Sequence, residues 1–166
     1  KIKPDDIHFA RTRLLCLENT HAGKVLPLSY LVQASRFAKE HHLKFHLDGA
    51  RIFNALTVTG ESPLTIGAAV DTLSVCLSKG LGAPVGSMLI SNQESIRRAR
   101  RVRKALGGGM RQAGYLAAAG IYALENNITR LGEDHRHAQH REFRWSNPTR
   151  DCACAPFWCC FQRLLR

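Results

Sequence analysis

Two short apolar runs, each closed by a charged residue and a glycine, constrain this chain more than anything else in it. Leu43-Lys44-Phe45-His46-Leu47 passes into Asp48-Gly49-Ala50-Arg51, and Leu73-Ser74-Val75-Cys76-Leu77 passes into Ser78-Lys79-Gly80-Leu81-Gly82. Runs of this length and apolarity read as buried strands. The interval from Asp48 to Lys79 leaves room for a crossover helix, which a parallel pair requires. If the two strands are parallel, they end at one rim, where α/β sheets bind ligands. That rim offers a carboxylate, a guanidinium and an amine. Desolvation at a strand end favours the neutral amine, which can attack an aldehyde.

Pyridoxal phosphate needs such a set: a lysine for its aldehyde and an acid against its pyridine nitrogen. The local patterns have plainer readings as well. Asp48 suits the N-cap of a helix over Ala50–Leu56, and a lysine before a Gly-rich turn can simply reach into water.

Other segments are consistent with this frame. Leu14-Leu15-Cys16-Leu17 is a short strand ending at Glu18-Asn19-Thr20-His21, which puts His21 on a strand-end loop. Ser29–His42 has helical spacing at Leu31, Val32, Ala34, Phe37 and Ala38. Leu64–Val70 has no readable period, and Val85–Ile90 is a further strand. Ser91-Asn92-Gln93-Glu94 has the capping-box pattern of a helix start. Met110–Asn126 is an Ala-rich helix, and a polar helix over Asn127–His140 continues from it.

Together, these stretches resemble the low-specificity L-threonine aldolases, fold-type-I pyridoxal-phosphate enzymes of the aspartate aminotransferase kind. The resemblance is carried by Leu17–Val25, His46–Ala55, Leu77–Ser87 and Gly107-Gly108-Gly109-Met110-Arg111-Gln112, in that order. It extends from about Lys1 to about His140. It implies an α/β fold, part of a mainly parallel-sheet large domain with helices on both faces. The implied reaction is aldol cleavage of L-threonine, L-allo-threonine and related β-hydroxy-α-amino acids to glycine and an aldehyde. Lys79 is then the Schiff-base lysine for pyridoxal 5'-phosphate and Asp48 the partner of the pyridine nitrogen. Arg51 faces the cofactor or the substrate carboxylate, and His21 handles the substrate hydroxyl. Lys104 and Arg111 help hold the cofactor phosphate, in a homo-oligomer. No stretch matches the family's N-terminal phosphate cradle, its ring-stacking histidine or its C-terminal carboxylate-binding arginine. This leads us to expect a partial domain over 1–140, with an uncovered sheet edge.

Composition bounds the alternatives. The chain has 166 residues, 45% hydrophobic and 22% charged, enough for one cored domain. No apolar run approaches a membrane span, and no signal peptide is visible. The first residue is not Met, which suggests a processed chain or part of a longer one. The net charge of +11 raises a nucleic-acid module through Arg97–Lys104 as an alternative. No aromatic residue is interleaved there for base stacking, so a solvated helix is preferred. His135, His137 and His140 lack the spacing of a metal site. Cys16 and Cys76 are expected to be buried free thiols of a cytoplasmic protein. Residues 141–166 carry the other four cysteines and both tryptophans. They show no period, and are expected to be a tail foreign to the fold, leaving a non-catalytic remnant as the third reading.

Overall fold

The computed structural model describes residues 2–145, with side chains through residue 139. It contains a four-stranded sheet in the order β1 (Leu14–Glu18), β2 (Lys44–Asp48), β3 (Thr72–Cys76), β4 (Ser87–Ser91). β1, β2 and β3 are parallel and β4 runs antiparallel to β3. Each parallel connection carries helix: α1 (Leu28–Glu40) joins β1 to β2, and α2 (Ile52–Thr59) with α3 (Pro63–Ala69) joins β2 to β3. α4 (Gln93–Ala105), α5 (Gly114–Asn126) and α6 (Leu131–Trp145) follow. These residues fall into two units, one through Gly132 and one from Glu133.

The strand alternation sorts the first unit's chemistry. Phe45, Leu47, Leu73 and Val75 point to one face and are buried with Leu31 and Ala38 of α1, Ile52 and Ala55 of α2 and Ile66 of α3. Burying each Leu, Ile, Val or Phe of this set contributes roughly 1.5–3 kcal/mol. The opposite face carries Cys16 and Glu18 of β1, His46 and Asp48 of β2, and Thr72, Ser74 and Cys76 of β3; its residues are half-buried or exposed. A second cluster holds the glycine-rich segment after β3: Leu77, Leu81 and Ala83 pack with Ala123 of α5 and with Leu131. Asn127 Nδ2 donates to the Leu81 carbonyl at 2.8 Å.

Several sequence expectations shift. Asp48 is not the N-cap of α2; that position is Arg51. Asp48 instead closes a local turn by accepting from the Ala50 N–H at 3.0 Å. The capping residue of α4 is Asn92, which accepts from Ser95 N–H, while Ser91 donates to the Asp71 carbonyl. The unreadable segment after Ser62 is helix α3: Ser62 caps it and a proline opens it, but only Ile66 is buried, too little to make a period. α5 begins at Gly114, because Gly107–Met110 and the turn at Gln112 precede it. Cys16 is exposed and Cys76 half-buried, since both point to the open face. α6 runs through Trp145, past the position where a foreign tail is expected to begin. The Cys-rich stretch with Cys152, Cys154, Cys159 and Cys160 lies outside the described residues. Among the described residues no helix is long and apolar enough to cross a membrane.

Candidate active site

The carboxyl ends of the three parallel strands form one rim. Glu18, Asp48 and Ser74 lie side by side in register across it. β2 ends at Asp48 because Gly49 must pass close to β3. Its N–H donates to the Ser74 carbonyl at 2.8 Å, and a Cβ there would lie 2.9 Å from that oxygen and 2.6 Å from Leu73 Cδ1. Only glycine fits. The Asp48 carboxylate takes two donors on one oxygen: the Ala50 N–H at 3.0 Å and the Ser74 hydroxyl at 3.2 Å, both to Oδ1. Oδ2 has no protein partner among the described residues.

His21 sits on the loop after β1, which is tied down at several points. The Asn19 N–H donates to the Asp48 carbonyl at 2.9 Å. The Asn19 side chain, 2% exposed, receives the Leu26 N–H at 3.1 Å. His21 and Lys24 exchange two backbone hydrogen bonds at 2.9 and 2.8 Å. The His21 ring meets Glu18: Nδ1 lies 2.7 Å from Oε2. Cys16, Leu17, Glu18, His21 and Asp48, with Leu26, Pro27 and Tyr30 at the start of α1, line a cleft of about 900 Å³. This is the size range of small-molecule sites.

The other expected site residues are distributed as follows. Lys79 leaves the same rim, in the turn after β3, with the Gly82 N–H donating to its carbonyl at 2.9 Å. It is exposed rather than desolvated, on the outward side of a turn between buried Leu77 and Leu81. Arg51 opens α2, also exposed. Among the described residues neither lines the cleft nor forms an ion pair. Lys104 is in the last turn of α4, its stem lying over Gly109, and Arg111 is exposed in the loop before α5. No described contact brings these two to Asp48 or His21. The residues that sequence reasoning passed over are Glu18 and Ser74. An acid three positions before a strand-end histidine was a readable signal for Glu18; Ser74 needed the strand register.

The fold, a mainly parallel sheet with a terminal antiparallel strand and crossover helices, is that of the large domain of fold-type-I pyridoxal-phosphate enzymes. Comparison with solved structures agrees: a threonine aldolase from Leishmania major overlays with a TM-score of 0.65 at 26% identity, over 76% of this chain and 38% of that one. The beta-eliminating lyase family model matches residues 1–147, and the chain belongs to that family. Over 138 residues it is 62% identical to a low specificity L-threonine aldolase of Escherichia coli strain K12, covering 83% of this chain and 41% of that protein. A probable low-specificity L-threonine aldolase 2 of Arabidopsis thaliana is 49% identical over 137 residues, 81% of this chain and 39% of that protein. The chain thus spans about two-fifths of the length of these curated relatives. None of these relatives is named as a nucleic-acid-binding protein, so the comparisons do not favour that reading of Arg97–Lys104.

Proposed function

We propose that this chain is the part of a pyridoxal-phosphate-dependent threonine aldolase that carries its Schiff-base lysine and ring-nitrogen acid, the whole enzyme cleaving L-threonine and L-allo-threonine to glycine and acetaldehyde. The observation that carries the reading is the Asp48 carboxylate, pinned on one oxygen and open on the other, at the rim from which Lys79 and His21 also emerge. Such an acid fits a pyridinium N–H: the pinned oxygen fixes the direction of the open one. When bound, pyridoxal phosphate supplies an electron sink for the pair left on Cα. Asp48 would hold its ring nitrogen protonated. Lys79, an exposed amine with no ion pair among the described residues, would be its point of attachment. Arg51 is a planar donor for the substrate carboxylate. His21 takes the proton of the β-hydroxyl. Lys104 and Arg111 are proposed for the cofactor phosphate.

A homo-oligomeric, cytoplasmic enzyme is part of the same proposal. Exposed apolar side chains between Leu106 and Tyr122, with Tyr115 90% exposed, support an assembly surface. The unpaired thiols Cys16 and Cys76 suit a reducing compartment.

The test is borohydride reduction of the protein incubated with pyridoxal phosphate, followed by peptide mapping. The pyridoxyl label is expected on Lys79. Label on Lys44 or Lys104 with Lys79 clean would remove the assignment.

A further inference from the structure

We propose that Glu18 is a positioning residue of this site: it holds His21 in the tautomer that carries the ring proton on Nδ1, leaving Nε2 as the ring's acceptor. Its catalytic consequence rests on the reading of His21 given above. An ionised carboxylate can only accept, so a 2.7 Å contact between Glu18 Oε2 and His21 Nδ1 requires Nδ1 to donate. In a neutral imidazole the other nitrogen then has the free lone pair. Of the two tautomers, only this one lets Nε2 take a proton.

Three observations separate this from an incidental surface pair. First, the backbone around His21 is already fixed without Glu18. The paired hydrogen bonds to Lys24 and the Asn19–Leu26 clamp settle the loop, so the side-chain torsions of His21 are what remains for Glu18 to set. Second, the pair is a poor source of stability. The His21 and Glu18 side chains are 72% and 47% exposed, a setting in which ion pairs contribute little. Third, Glu18 lies in register with Asp48, on the same sheet face and the neighbouring strand. Like charges on neighbouring strands repel, weakly at this exposure, and do not favour the pairing. An acid placed against another acid, yet directed onto a histidine in the same cleft, is where the chemistry needs it rather than where the fold does. In the step concerned, the β-hydroxyl proton passes to Nε2 and the O–H electron pair becomes the second bond of the aldehyde carbonyl. The Cα–Cβ pair stays on Cα. Glu18 touches no reacting atom.

The experiment uses this chain with ¹⁵N-labelled histidine, its His21 signals assigned by loss in His21→Asn. Long-range ¹H–¹⁵N correlation spectra, recorded where imidazole is neutral, report which nitrogen is protonated. The expected result is Nδ1–H for His21, lost in Glu18→Ala, with Glu18→Gln giving a mixture because an amide can accept or donate. Thermal melting of Glu18→Ala should stay within about 2 °C of the parent, as for a surface substitution. In turnover of L-threonine, Glu18→Ala should lower kcat about tenfold with KM nearly unchanged, since orientation and not binding is lost. A proton on Nε2 in the unsubstituted chain, or a tautomer indifferent to Glu18→Ala, would overturn the proposal. Unaltered turnover in His21→Asn, with the tautomer result intact, would instead sink the reading of His21 as the proton acceptor and leave the hold of Glu18 on the ring standing.

Discussion

The two rims of the sheet carry an aspartate at each end of β2, and the two are wired in opposite ways. At the amino-terminal rim Asp71, just before β3, is engaged on both oxygens. Its Oδ2 receives the Phe45 N–H at 2.8 Å and its Oδ1 the Lys44 ammonium at 3.1 Å. At the carboxyl rim both donors to Asp48 fall on Oδ1. A carboxylate held on both oxygens by β2 serves to align the strands. One held on a single oxygen is oriented but unspent, and so available to a ligand. The chemistry proposed above lies at this second rim, and the first rim shows what the same residue type does when the fold engages both of its oxygens.

The largest expected effect comes from breaking the open carboxylate. Asp48→Asn keeps Oδ1 for Ala50 and Ser74 but puts a neutral amide where the proposed cofactor would meet it. In the protein, turnover should fall on the order of 10²-fold, equivalent to a few kcal/mol of barrier, with melting temperature almost unchanged. Near-normal turnover would show that Asp48 only closes a turn. The neighbouring position sharpens the same comparison from the structural side. Gly49→Ala places a methyl group against the Ser74 carbonyl and Leu73, an overpacking that costs about 1–3 kcal/mol. Here stability should fall, as read from urea midpoints. A variant as stable as the parent would mean that β2 and β3 can part at this rim without cost.

Much of this organisation was legible in the sequence because burial and chemistry alternate along the strands. Leu43–Leu47 and Leu73–Leu77 marked the strands, and Asp48 and Lys79 their shared rim. The strand limits moved by one residue, since apolarity reports the buried face while the ladder reports backbone pairing. That is why the hydrogen-bonded segments end at Asp48 and begin at Thr72. α3 was illegible because a helix with one buried side chain has no stripe. Cys16 and Cys76 misled because an apolar run does not say which alternate positions face the open side. Glu18 went unremarked although Glu18-Asn19-Thr20-His21 spells out the pair. What no spacing could supply was the loop clamp at Asn19, whose partner is the backbone of Leu26.

The smallest expected effect belongs to Asp71, and its sign follows from its contacts. Partial burial pushes the carboxyl up, but the Phe45 N–H and the Lys44 ammonium pull it down by more, so Asp71 lies below its ordinary value of 3.8. A carboxylate depressed in the folded state contributes stability above its unfolded pKa. That contribution disappears as pH falls through the folded value. The window is therefore below about pH 4, and neutral pH shows the full contribution. Because the Lys44 and Asp71 side chains are 76% and 39% exposed, screening keeps the effect to about 1 kcal/mol or less. Asp71→Asn should lower the urea midpoint slightly at pH 7 and match the parent near pH 2, with turnover at neutral pH unaffected. A loss of turnover with stability unchanged would reverse the comparison between the rims, making the carboxylate engaged on both oxygens the functional one.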